Sequence, residues 1–268
     1  MSTSPIRIAF HGAAGRMGQR LVALAAADAA LKTVAALEHA QHPKLGSDAG
    51  ALAGAGPIGV VLSSKLEVPC DVVVDFSLPK AVPGIVAACV ERNVPLVVAT
   101  TGLEAEEIAA VKAGSAKIPL LWAPSMSLAV NLAMKLTSVA ATALKDHPSG
   151  ADVEIVERHH RFKEDSPSGT ALKFGQIVAD AMGQTKSVHG REGRPGARPH
   201  GEIGYHAVRV GDNPGEHTII FGLLGETLEI TVKATNRDCY AQGALAAAKF
   251  LVGKPPRLYN MNDVLGLA

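Results

Sequence analysis

Three cysteines in 268 residues, Cys70, Cys89 and Cys239, are too few and too far apart for a disulfide scaffold, and no CxxC pair offers a zinc site. That usage suits a reducing compartment, so a cytoplasmic location is expected. Aromatic residues make up only 4%, which leaves Ala, Val, Leu and Ile to build the core. A net charge of +1 supplies no global field for nucleic acid or an anionic membrane, and neither partner is expected. Apolar runs such as "VDFSLPKAVPGIVAACVERN" are broken by charge or proline well before the ~18 residues a membrane helix needs. "MSTSPIRIAF" runs directly into a strand-like segment without a secretory pattern. What is present, 47% hydrophobic and 19% charged residues, describes a globular chain with much buried surface. Its length allows one large domain or two of roughly 100–200 residues each.

The pattern divides near residue 127. Before it, short apolar runs alternate with helical segments: "IRIAF" (6–10), "KTVAAL" (32–37), "IGVVL" (58–62), "CDVVVDF" (70–76), "PLVVAT" (95–100) and "IPLLWA" (118–123) read as strands. Helical patterns follow the first run and recur near 79–92 and 104–114. Near-continuous β-branched runs separated by helices predict a doubly wound parallel sheet, an α/β architecture covered on both faces. Beyond it, helices near 128–146 and up to 182 flank the alternating "DVEIVE" (152–157). Three longer strands, 203–210, 216–224 and 227–235, are joined by short polar turns and are expected to be antiparallel neighbours. "HGREGRPGARPHG" (189–201) reads as a surface loop. An Ala-rich helix at 241–252 completes the first part. The expected domains are therefore residues 1–127 with 240–268, and an inserted α+β domain of residues 128–239.

"IRIAFHGAAGRMG" sets Gly12, Gly15 and Gly18 between a strand and a helix. Glycines there permit a tight turn and bring backbone N–H groups close to a pyrophosphate at a helix N-terminus. The spacing is GxxGxxG rather than GxGxxG, with Ala14 in place of the second close glycine. Glu38 ends the next strand, at the distance where a carboxylate accepts from a ribose diol. Its charge disfavours a 2′-phosphate, while Arg16 and His39 are nearby cations that offset it. NADH is therefore the expected cofactor, with NADPH use allowed.

"ERHHRFKEDSPSGTAL" (157–172) poses a different problem. Ser166 or Ser168 can cap the helix that follows, with Pro167 tolerated in its first turn. Capping does not account for His159, His160 and Lys163. A reductase needs a proton donor beside its hydride acceptor, and histidine suits that near neutral pH. The backbone N–H groups of Ser168, Gly169 and Thr170 at a helix start form a carboxylate site, with Lys163 as a point charge for the same anion. A metal site is not expected, because adjacent histidines on a strand point in different directions and no further ligand pattern accompanies them. Asp165 reads as a helix-entry charge or a partner of Lys163.

The same stretch closely resembles the signature of the dihydrodipicolinate reductase family. "GAAGRMG", "DFSLP" (75–79), "TTG" (100–102), "APSMSLAVN" (123–131) and "GEHTIIF" (215–221) resemble further family segments in order, covering effectively the whole chain. The resemblance implies an N-terminal Rossmann-type domain, a substrate-binding and tetramerisation domain, and a homotetramer. It implies reduction of 4-hydroxy-tetrahydrodipicolinate, a small cyclic dicarboxylate, by NAD(P)H in diaminopimelate and lysine biosynthesis. By the same resemblance His159 is the acid/base residue and Lys163 a proton donor. His160, Lys163, Ser168, Gly169 and Thr170 hold the substrate. Gly12, Ala13, Ala14, Gly15, Arg16 and Met17 hold the pyrophosphate, Glu38 the adenine ribose, and Ala99, Thr100, Thr101, Ala123, Pro124, Ser125 and Met126 the nicotinamide side.

Overall fold

A computed structural model describes residues 4–267 of the chain. Strand β1 (Ile6–His11), helix α1 (Arg16–Ala26), β2 (Leu31–Leu37), α2 (Ala49–Leu52) and β3 (Leu62–Ser63) form the first wing of a sheet. β4 (Val72–Asp75), α3 (Val82–Arg92), β5 (Leu96–Val98), α4 (Ala105–Ser115) and β6 (Pro119–Trp122) form the second. Helix α5 (Leu128–Leu144) then leads into β7 (Asp152–His159), α6 (Gly169–Met182), β8 (Lys186–His189), β9 (Glu202–Arg209), β10 (Glu216–Gly222) and β11 (Thr227–Lys233). Helix α7 (Asp238–Leu251), β12 (Arg257–Tyr259) and α8 (Met261–Leu265) end the described chain. Two compact units result, dividing after Leu128 and again before Asp238.

In the first unit seven parallel strands lie in the order β12-β6-β5-β4-β1-β2-β3. Side chains alternate across a strand, so each strand feeds two cores. Ile8, Phe10, Val72 and Val74 pack with Leu21, Val22, Ala244 and Leu251 of α1 and α7. Ala9, Val73, Leu96 and Val98 pack with Ile85, Val86, Cys89 and Val111 of α3 and α4. Both faces are therefore dry, which is why the strands read as unbroken apolar runs. Burial pushes the Cys70 thiol up to about 11, so it has little thiolate character. The strand order reverses between β1 and β4, and in open α/β sheets ligands bind at the carboxyl ends of strands beside such a switch.

The 58–62 segment departs from expectation, because only Leu62 and Ser63 pair as a strand. Gly59 takes φ +74°, and the Asp48 carboxylate accepts the N–H groups of Ile58 and Gly59 at 3.1 and 2.8 Å while also capping α2. Those captured donors are lost to a sheet ladder.

In the second unit five strands lie in the order β11-β10-β7-β9-β8. β10 and β11 are antiparallel neighbours, as expected, but β9 and β10 are not neighbours. β7 runs between them, parallel to β9 and antiparallel to β10. The link at 210–215 crosses the end of β7, bonding Val210 N–H to His159 O and His160 N–H to Asn213 O. One sheet face packs Val153, Ile155, Ile219 and Phe221 against Ala133 and Ala141 of α5 and Phe174 and Val178 of α6. The 190–201 segment is irregular and largely exposed but is anchored: Arg191 pairs with Glu154 and Glu202 at 2.8 and 2.7 Å, and Arg198 with Asp152 at 2.6 Å.

Candidate active site

The core-facing positions of β7 are Val153, Ile155, Glu157 and His159, all buried. The apolar row thus gives way to two ionisable residues at the strand's end. His217 on β10 pairs in register with Glu157, and Arg209 on β9 with His159. Three strands therefore converge on one carboxylate. Glu157, 1% exposed, accepts from His159 Nδ1 at 2.5 Å, from Arg209 Nη1 and Nη2 at 2.8 Å each, and from Ser168 N–H at 3.0 Å. Burial alone pulls its carboxyl upward, but Arg209, His159 and the Ser168 N–H outweigh that and hold it below the usual range.

A charged Glu157 fixes the His159 proton at Nδ1 and leaves Nε2 unprotonated in the neutral ring. A Cβ built on Gly215 would lie 2.8 Å from that Nε2, so glycine is the residue that leaves it room. Burial lowers the His159 pKa, opposed by Glu157. His217, buried and edge-on to His159 with ring centroids 5.1 Å apart, is pushed down to about 4 by desolvation, with the neighbouring His159 adding to it. It is therefore neutral near pH 7 and bonds Ser168 Oγ at 3.0 Å.

Ser168 is the N-cap of α6, accepting from Ala171 N–H at 3.1 Å. Pro167 precedes the helix rather than lying in its first turn. Because Ser168 N–H serves Glu157 and its hydroxyl serves Ala171 and His217, Ser168 is turned inward and only 2% exposed. Contrary to the expected cradle of three N–H groups, the outward part of this helix start is Gly169 and Thr170. Lys163 Nζ bonds both oxygens of Asp165 at 2.6 and 2.8 Å, and this pair holds the Asp165 carboxyl down, with the Gly169 N–H contributing. His160 lies just past β7, half-buried, and its Nδ1 has no hydrogen-bond partner.

The glycine turn lies at the carboxyl end of β1. Gly12 has φ +77°, and a Cβ there would meet Phe76 O at 2.4 Å; a Cβ on Gly18 would meet Gly12 O at 2.1 Å. Both positions require glycine. Gly15 caps α1 without a side-chain bond, and no acidic residue occupies the helix's first turn, so its N-terminal field faces outward. A cleft of about 820 Å³ opens over this turn, lined by Gly12, Ala14–Met17, Glu38, His39, Phe76–Leu78 and Ala99–Thr101 among others. These features fit a dinucleotide: close backbone approach, a helix N-terminus and one half-buried carboxylate. Glu38 accepts the Ala14 N–H at 2.9 Å with one oxygen. Ala13, Ala123, Pro124, Ser125 and Met126 do not line this cleft, and the side chains of Ala13, Ala123 and Met126 are instead core.

Three residues of this floor, His11, Asp75 and Ser77, had no assigned role from sequence. Asp75, fully buried, accepts from Ser77 Oγ and Thr100 Oγ1 at 2.6 Å each and bonds His11 Nδ1 at 2.7 Å. The network joins the ends of β1, β4 and β5. In the second unit Glu157, Arg209 and His217 were likewise missed as parts of the site. Only Glu157 lay within the suspicious stretch.

The parallel sheet with its switch-point cleft, and a buried carboxylate–histidine pair beside an anion-ready helix start, define a Rossmann-type oxidoreductase. Residues 6–126 match the N-terminal part, and residues 129–265 the C-terminal part, of dihydrodipicolinate reductase. The chain belongs to this family, whose members serve lysine and diaminopimelate biosynthesis. It is 58% identical to a 4-hydroxy-tetrahydrodipicolinate reductase of Rhodopirellula baltica, covering 100% of this chain and 98% of that one. It is 47% identical to the reductase of that name from Syntrophotalea carbinolica, over 98% and 99% of the two chains. A dipicolinate-bound dihydrodipicolinate reductase from Paenisporosarcina superposes with a TM-score of 0.76 at 27% identity, covering 96% of this chain and 97% of that one.

Proposed function

We propose that His159 and Lys163 carry the acid–base work of the reaction this chain catalyses, the NAD(P)H-dependent reduction of 4-hydroxy-tetrahydrodipicolinate to tetrahydrodipicolinate with loss of water. The observation that carries the assignment is the buried Glu157–His159 pair next to Lys163 and the start of α6. Loss of the 4-hydroxyl as water gives a conjugated imine, and a dinucleotide held over Gly12–Met17 would supply the hydride for its C4. Glu38 holds the adenine ribose, and Ala99–Thr101 face the nicotinamide side. Glu38 disfavours a 2′-phosphate, which supports NADH as the preferred cofactor; Arg16 and His39 keep NADPH usable.

Reduction at C4 leaves an electron-rich enamine, and a proton must reach carbon to finish the reaction. His159 Nε2 delivers it, because Glu157 holds the ring by Nδ1 and stabilises its charged form. Arrival of a dicarboxylate favours the imidazolium that the ligand-free site resists. One substrate carboxylate takes the place of Asp165 on Lys163 and the Gly169 N–H, with Thr170 beside it, and His160 contacts the other. Glu157 is a positioning residue. The Ala129–Arg237 unit is read as the substrate and assembly domain of a cytoplasmic homotetramer, supported by Val208 and Leu228, which its sheet leaves 42% and 43% exposed.

The test is loss of NADH absorbance with substrate generated in situ from pyruvate and aspartate semialdehyde, comparing wild type with His159→Gln and running NADPH in parallel. Wild type should turn over rapidly, and the variant should lose roughly 10²–10⁴-fold in kcat while binding NADH normally. Equal rates would remove His159 from its role. No oxidation by a wild-type protein that binds NADH would overturn the substrate.

A further inference from the structure

Just beyond β2, at the rim of the dinucleotide cleft, the chain makes a tight turn that the reductase reading does not fully use. Glu38 N–H donates to Ser63 O at 2.9 Å and His42 N–H to His39 O at 2.9 Å. This turn sets residues 39 and 42 on one side, with the two imidazoles edge to face and 5.3 Å between centroids. One ligand atom from each of Glu38, His39 and His42 lies within 4.8 Å of the other two. Glu38 spends one oxygen on the Ala14 N–H at 2.9 Å and keeps the other. His42 has at most a weak bond to lose, from the Lys44 N–H at 3.3 Å.

Two imidazoles and one carboxylate are the donor set of a borderline divalent transition ion, whereas Mg²⁺ and Ca²⁺ call for oxygen ligands. Metal–ligand bonds of about 2.0–2.2 Å require these donors to draw together by on the order of 1 Å. His39 is exposed and Glu38 and His42 only half-buried, so side-chain rotation can supply that closure. Three protein ligands leave a fourth, cleft-facing position for water or a phosphate oxygen.

We propose that Glu38, His39 and His42 form a tridentate site for a Zn²⁺-class ion, and that an ion held there excludes the dinucleotide. Ion binding follows from the three side chains alone; exclusion also rests on the reading of Glu38 as the ribose carboxylate. A carboxylate oxygen engaged by the metal no longer accepts from the ribose diol, and the cation with its fourth ligand fills that end of the cleft. The fold thereby couples transition-metal excess to inhibition of the reductase by competition with NAD(P)H.

The experiment is a Co²⁺ titration of the purified full chain in a non-chelating buffer, read by visible absorption and repeated with Zn²⁺ by calorimetry. The proteins are wild type, His42→Gln and, as a control for the other histidine cluster, His159→Gln. Expected are one ion per chain with a four-coordinate cobalt spectrum, at least tenfold weaker binding in His42→Gln, and none of that loss in His159→Gln. NADH should bleach the cobalt spectrum as it binds. Equal affinity in wild type and His42→Gln overturns the site. Binding that needs His42 but persists unchanged under saturating NADH overturns the exclusion and removes Glu38 from the ribose, a result independent of whether the reductase assay succeeds.

Discussion

The two units build their candidate sites in opposite ways. In the dinucleotide half the essential parts are backbone: Gly12 at positive φ, a bare helix N-terminus, and Gly18 packed against Gly12 O. In the other half the essential parts are side chains gathered from three strands around one buried carboxylate, Glu157. A backbone site tolerates almost any neighbour but no Cβ at two positions. A side-chain site tolerates ordinary backbone but fails when one partner of the charge set is removed. The first is fragile to added volume and the second to lost charge.

Gly12→Ala should be the harshest break of the backbone half. Strain at φ +77° costs roughly 1–3 kcal/mol and forcing a Cβ to 2.4 Å from Phe76 O about as much again. NADH titration should show binding lost while the second unit's contribution to circular dichroism survives. On the side-chain half, Arg209→Met leaves Glu157 buried without its main cation, a change that costs about 3–5 kcal/mol. Denaturant unfolding should show it, and a variant as stable as wild type would mean that water replaces the guanidinium.

The contrast sharpens with pH. His217 titrates near 4 in the fold against 6.5 free, so the unfolded chain binds the extra proton between those values. Stability from this group is therefore complete above pH 6.5, falls as pH drops from 6.5 to 4, and is flat below. The loss amounts to about 3 kcal/mol, and His159 shifts in the same direction. His217→Gln should flatten that part of a plot of melting midpoint against pH. The smallest expected effect is His39→Arg, in which a permanent cation beside Glu38 should move the NADPH/NADH ratio of kcat/KM toward NADPH by several-fold, on the order of 1 kcal/mol.

This division also decides what could be read from sequence. The dinucleotide turn was legible because glycine spacing, a preceding apolar run and an acid after the next strand are all local. Residues such as Val72–Val74, dry on both faces, announce a parallel strand in the same way. The side-chain site was legible only where its parts are contiguous, at 157–172. Arg209 lies 52 residues from Glu157, and His217 49 residues from Ser168, so no local pattern connects them. Ser168 was assigned to the substrate because a helix start offers N–H groups. That the fold would use this one to hold Glu157 depends on the packing of α6 against β7. Strand order was illegible for the same reason: a short polar link at 210–215 looks like a hairpin, and nothing in it says that β7 occupies the space between. β8 and β12 escaped notice because they are three or four residues long and mostly exposed.

The placement of β7 has a consequence for how the protein comes into being. β10 and β11 are joined by a tight turn and can zip together locally, but β9 and β10 never pair with each other: each pairs with β7, which comes from some fifty residues upstream of β9 and must enter between them. Closing such a long loop is slow compared with forming a hairpin. Glu157 and His159, neighbours on β7, acquire Arg209 and His217 only at that insertion. A chain emerging from denaturant should therefore regain its helices and its outer hairpin before the cluster around Glu157, and a partly folded molecule has no partly assembled cluster.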